Sequence, residues 1–243
     1  MTSDPQDLQY LDACLSVIVV GASGDLAKKK TFPSLLHLFA DDLLPKNFVV
    51  WGYARSNIGD DGLRDRIRPY LLKLKHSSEV VENFLQTVRY QNGASYGDIE
   101  GWTKLKSHIE SFESSKSAEE KSFNRLFYFA IPPAVFAETA SSIKKTCMQD
   151  DDKGFTRLIV EKPFGRDLET FEKLNKDLNS HFTEDHLYRI DHYLGKEMVQ
   201  NLTVIRFSNL WTERIWNADN VKMVILTFKE PFGTDGRGGY FDQ

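Results

Sequence analysis

Cysteine is nearly absent from this chain: Cys14 and Cys147 are the only two. So small a number, so far apart, rules out a disulfide framework and any thiolate metal site. The amino-terminal stretch MTSDPQDLQYLDACLSVIVVG lacks the positive charges of a secretory leader, and its apolar run is too short to span a membrane. A block of basic residues is also missing. Lysines and arginines are interspersed with acids to a net charge of −4, which gives no footprint for nucleic acid or an anionic membrane. These absences point to a reducing, cytosolic protein without nucleic-acid or membrane partners.

What remains is ordinary globular material, 41% hydrophobic and 12% aromatic over 243 residues, enough for one large domain or two small ones. Residues 15–20, LSVIVV, form a short continuous apolar run ending at Gly21, as expected of a central parallel strand covered on both faces. NFVVWGYA, TVRYQNG, RLFYFAIPP and TRLIVEKP are further strands. Helical periodicity separates them, in TFPSLLHLFADDLL despite Pro33, in DDGLRDRIRPYLLKLK with a bend at Pro69, around WTKLKSHI, in AVFAETASSIKKTCMQ and in DLETFEKLNKDLNSHF. Residues 111–122, SFESSKSAEEKS, read as a polar linker. The alternation predicts an α/β fold, a Rossmann-like doubly wound parallel sheet over residues 1–190. After residue 200 the pattern changes. NLTVIRFSN and NVKMVILTFKEPFG read as β-type runs, so 191–243 is expected to be the truncated start of a β+α domain.

Two groups of residues carry chemistry. In VVGASGDLAKKK, Gly21 and Gly24 sit between the first strand and the first helix, where glycines let a pyrophosphate approach the positive helix end. The spacing is shorter than G-x-G-x-x-G, and a plain tight turn with Asp25 as a helix cap fits it as well. The second strand decides more. In place of the acid that holds a free ribose 2′-hydroxyl, WGYARS offers Arg55, whose fork suits the 2′-phosphate of NADP. The second group is RIDHYLGKEMVQN. An aspartate, a histidine, a tyrosine and a lysine within a few residues are costly to bury unpaired and suit a ligand with several oxygens and negative charge. His181, His186 and His192 with Glu184 and Asp185 have no tetrahedral metal spacing, so no metal is expected.

Taken in order, GASGDLAKKK, GYARS, LFYFAIPP, VEKPFGRDL, YRIDHYLGKEMVQN and LTFKEPFGTDGRGGYFD resemble the successive signatures of the glucose-6-phosphate dehydrogenase family. The resemblance runs from about residue 15 to the end, and known family members are about twice as long. It implies oxidation of glucose 6-phosphate to the lactone with hydride transfer to NADP, the first step of the pentose phosphate pathway. Gly21, Ala22, Ser23, Gly24, Asp25, Leu26, Ala27 and Lys28 would line the pyrophosphate and adenosine, Arg55 the 2′-phosphate, and Tyr128 the cofactor. Lys162 would touch both cofactor and substrate, with the Lys162–Pro163 bond open to a cis form that would aim it. His192, Tyr193, Leu194, Gly195 and Lys196 would hold the sugar phosphate, and Glu230 the sugar hydroxyls. Asp191 would orient the histidine that takes the C1 hydroxyl proton, as a carboxylate does for such a base. That histidine belongs to a QNH element about a dozen residues beyond GGYFD, past Gln243. The resemblance therefore implies a homodimer or homotetramer in the full-length form, and a poorly active piece here. A non-catalytic nucleotide-binding or partner chain, or another NADP-linked sugar oxidoreductase, are the alternatives.

Overall fold

The computed structural model describes residues 13–117, 122–150, 152–227, 229 and 233. The chain divides into two compact units, one ending at Ile190 and the other beginning at Asp191.

The first unit is built on six strands, β1 (Cys14–Val20), β2 (Phe48–Ala54), β3 (Val88–Asn92), β4 (Phe123–Phe129), β5 (Thr156–Val160) and β6 (Leu187–Arg189). They lie in the order β3-β2-β1-β4-β5-β6, and every pairing is parallel. Strands that alternate sides feed two helical layers. Val17 and Val19 of β1 face a cluster with Phe32 and Leu36 of α1 (Phe32–Ala40), Leu63 and Ile67 of α2 (Gly59–Leu71) and Phe84 of α3 (Ser78–Gln86). Ile18 and Val20 face the opposite cluster, with Trp102 and Ile109 of α4 (Ile99–Lys116), Phe136 and Ile143 of α5 (Phe136–Thr146) and Leu178 of α6 (Leu168–Asn179). This is the doubly wound arrangement expected of the sequence. The chain's direction of travel across the sheet reverses between β1 and β4, which opens a crevice at the carboxyl ends of those strands.

Two local departures have identifiable causes. Ala27–Thr31, ahead of α1, is a π-helical turn in which the Phe32 N–H donates to the Ala27 carbonyl. Pro33 explains the widening: its ring cannot sit against the carbonyl four residues back, and it has no N–H to offer. The polar stretch 111–122 is not a linker throughout, because α4 continues to Lys116. Ser107 and Ser111 return their hydroxyls to the carbonyls four residues earlier, and Glu113 is drawn into the core by Arg125 of β4. That pair is bidentate at 2.8 and 2.7 Å, Arg125 is 2% exposed, and its remaining nitrogen donates to the Cys147 carbonyl.

In the second unit the expected strand over NLTVIRFSN is instead α7 (Glu197–Ser208), followed by α8 (Leu210–Ile215). A helix satisfies its own backbone groups, whereas a strand here has no partner among the described residues. Residues 221–227 carry no regular structure for the same reason. Trp211 belongs to α8 and Trp216 follows it, and they are 59% and 38% exposed.

Candidate active site

The turn after β1 is fixed by backbone geometry that only glycine satisfies. Gly21 has φ +86°, and a β-carbon there would stand 2.3 Å from the Ala130 carbonyl oxygen at the end of β4. Its N–H donates to the Tyr53 carbonyl at 2.7 Å, and the Ala22 N–H shares that acceptor at 3.3 Å. The Gly24 N–H returns to the Gly21 carbonyl at 2.9 Å, closing the turn just before the helix begins. As the first residues of that helix, Asp25, Leu26 and Ala27 carry backbone N–H groups without an acceptor one turn earlier in it, the arrangement that receives an anion, with Ser23 and Gly24 in the turn before them. Lys28 and Lys29 both hold the Asp25 carboxylate, at 2.6 and 2.9 Å. Their hydrogen bonds, Lys28 first, bring the Asp25 pKa down to about 2.

Arg55 leaves the carboxyl end of β2 exposed, with its guanidinium 5.6 Å from the centre of the Tyr96 ring. The neighbouring turn is tied down by Tyr90 of β3, whose hydroxyl donates to the Ser56 carbonyl at 2.5 Å, while its N–H donates to Asp60 at 2.7 Å. Burial pushes the Tyr90 phenol up to about 12 and raises that of Tyr96, so both stay protonated. Ser23 and Ser56 bring their hydroxyls within 3.4 Å of each other, joining the two turns.

Tyr128 stands opposite Val19 of β1 in the sheet. Its hydroxyl donates to the Glu161 carboxylate, and burial, then that bond, raises its pKa. Lys162 follows, exposed, and the Lys162–Pro163 peptide is cis. The eleven cofactor candidates thus all lie at the carboxyl edge of one sheet.

Apart from Lys162, which lies in the first unit, the described substrate candidates belong to the second. Asp191 to Lys196 form a tight double turn leading into α7: the Leu194 N–H donates to the Asp191 carbonyl and the Lys196 N–H to the Tyr193 carbonyl, each at 3.1 Å. The Asp191 carboxylate accepts the Tyr193 N–H at 3.0 Å, the His192 and Tyr193 rings sit 4.8 Å apart, and the Lys196 ammonium lies 3.8 Å from the Tyr193 ring centre. His192, Leu194, Gly195 and Lys196 are all exposed, and among the described residues a β-carbon at Gly195 would meet only the His192 carbonyl, at 3.6 Å. Glu230 lies outside the described residues. Among those residues no group of three potential metal ligands comes together.

Four contributors escaped the sequence reading. Tyr96, Tyr90 and Glu161 hold Arg55, its turn and Tyr128. Gly52, inside β2, admits Leu63 and Ala22, which a β-carbon would approach to 2.5 and 2.9 Å. The loop after the third strand opens on the same sheet edge as Arg55, which is the one signal that could have singled out Tyr96.

A family model described as glucose-6-phosphate dehydrogenase, NAD binding domain, matches residues 18–201, and the corresponding C-terminal domain model matches 203–243. The chain belongs to the glucose-6-phosphate dehydrogenase family. Among curated family members, the cytoplasmic isoform of Solanum tuberosum is 51% identical over 232 residues, covering 95% of this chain and 45% of its own length. Isoform 6 of Arabidopsis thaliana, also named cytoplasmic, is 50% identical over 234 residues, covering 95% of this chain and 45% of its own. A solved glucose-6-phosphate dehydrogenase in complex with its substrate glucose-6-phosphate superposes with a TM-score of 0.86 at 44% identity, over 95% of this chain and 47% of that one. The chain spans about half the length of the glucose-6-phosphate dehydrogenases it matches. No helix among its described residues is long and apolar enough to cross a membrane.

Proposed function

We propose that this chain supplies the cofactor-binding part and the sugar-phosphate cradle of an enzyme that oxidises glucose 6-phosphate at C1 with hydride transfer to NADP. The observation that carries the reading is the Gly21 turn packed against Tyr53 and Ala130, with Arg55 in the place of an acid. The turn residues Gly21 to Lys28 suit NADP. A bound nicotinamide cofactor supplies the hydride acceptor. Lys28 and Lys29 would exchange Asp25 for a phosphate, and the Arg55 fork, steadied by Tyr96, would take the 2′-phosphate. Tyr128, held by Glu161, and Lys162 are assigned to the nicotinamide side. His192 and Tyr193 supply directed donors to a phosphoryl group and Lys196 supplies charge, while Leu194 and Gly195 shape the turn between them. Glu230 is assigned to the sugar hydroxyls, and Asp191 to orienting the base.

The chain's cytoplasmic relatives favour work in the same compartment, and light scattering of the completed enzyme tests for a homodimer or homotetramer. The function itself is tested by NADP binding to the 243-residue chain, and by a chimera in which it is continued with the C-terminal half of the potato relative. The chimera is expected to reduce NADP with glucose 6-phosphate and not with free glucose. The 243 residues by themselves are expected to turn over about 10²–10⁴-fold more slowly, the usual effect of losing a general base. Oxidation of free glucose by the chimera at an equal rate overturns the substrate assignment, and absence of NADP binding by the chain overturns the cofactor assignment.

A further inference from the structure

At the other pole of the sheet, where β2 and β3 begin, a cleft of about 320 Å³ opens between α4 and the strand edge. It is far from the Gly21 turn along the strands, because all of them run the same way. Its lining is rich in nitrogen donors: Lys46 from the loop before β2, Arg89 from β3, and His108 and Lys116 from α4. Positions 108, 112 and 116 of α4 share one face, so His108, Phe112 and Lys116 look into the cleft together. Among the described residues no carboxylate lines it. Arg89 is partly engaged, donating to the Gln86 and Val88 carbonyls and lying 3.8 Å from Asp60, but no ion pair with Lys46 or Lys116 forms among the described residues.

The floor supplies a second and independent signal. Trp51 of β2 lines the cleft, is 8% exposed, and its buried indole N–H meets no acceptor. A buried donor without a partner is costly, and native structures leave few of them. The His108 ring lies nearly parallel to the indole, 5.7 Å between centres, so the two rings line the cleft together. A hollow with ammonium, guanidinium and imidazole at its rim asks for acceptor oxygens bearing negative charge, and the buried indole N–H of a lining residue reports on what enters.

We propose that this cleft is an anion site separate from the cofactor turn, taking a small phosphorylated metabolite. The volume falls at the lower end of the range for small-molecule sites, about 300–1,000 Å³, which suits a phosphate on a short carbon skeleton and excludes a dinucleotide.

The indole N–H gives a local readout. In ¹⁵N-labelled 243-residue chain, the Trp51 Nε1–H resonance, assigned by its loss in Trp51→Phe, is followed as inorganic phosphate is added against chloride of matched ionic strength. A saturable shift with phosphate and none with chloride is expected. His108→Ala combined with Lys116→Met, both surface positions, should raise the midpoint about tenfold or more, as the loss of charge-assisted hydrogen bonds does. Lys196→Met should leave it unchanged. Overturning results are a resonance that stays still, one that follows chloride equally, or a midpoint the double variant does not move. Phosphate acting through the cofactor turn or the Asp191–Lys196 turn gives the last of these.

Discussion

Gly21 fails as any other residue for two separate reasons, a left-handed backbone and the Ala130 carbonyl 2.3 Å from where a β-carbon would be. Gly21→Ala is expected to cost more than the about 1–2 kcal/mol of the backbone term alone, read as a lower urea midpoint, and to abolish NADP binding. Arg55 acts by charge and shape instead. Arg55→Ala should weaken NADP by about 1.5–3 kcal/mol, roughly ten- to a hundredfold, while leaving NAD affinity nearly unchanged in titration calorimetry. The sequence displayed both residues, because a glycine after an apolar run and an arginine after the next are local signals. Tyr96 and Glu161 were not legible in the same way. Their importance comes from what they touch, and those partners are distant in the chain or, for Glu161, 33 residues away at Tyr128.

The last two turns of helix α4 are anchored by the Arg125–Glu113 pair sealed against β4. Removing one partner leaves an uncompensated buried charge, so Glu113→Ala should destabilise the chain by about 3–5 kcal/mol in denaturant unfolding, with Arg125→Met joined to Glu113→Leu recovering most of it. A serine-rich run reads as a linker because serine favours turns, and only a contact across the core converts it into helix. The π-helical turn before α1 was more accessible: Pro33 stands one residue into a helical pattern and forces a widened turn. α7 shows the opposite limit. LTVIRFS has strand-forming composition, yet β-propensity expresses packing against neighbours, and no neighbouring strand is described here.

For the molecule as a whole, alkaline pH should be a route to unfolding. Burial holds the Cys147 thiol up to about 11 from an ordinary value near 9, and the Tyr90 phenol up to about 12 from 10. The folded state therefore keeps protons the unfolded chain has released, and stability present below pH 9 declines as pH rises through those values. Urea midpoints measured from pH 7 to 11 should fall only above 9, and Cys147→Ala should flatten the early part of the decline. A doubly wound parallel sheet was readable from the alternation of strand and helix, because such connections leave few topologies, whereas the three-residue β6 and the short α3 were not. The second unit was not, since its elements lack the regular pairing that made the first one predictable.

Cys14 and Cys147 are 1% and 0% exposed, sealed beneath the sheet's helices. Maleimide dyes should therefore ignore the folded polypeptide, and one engineered surface thiol would become its sole attachment point. Fluorescent reporters could then be placed beside either end of the sheet without first stripping native sulfur from the interior.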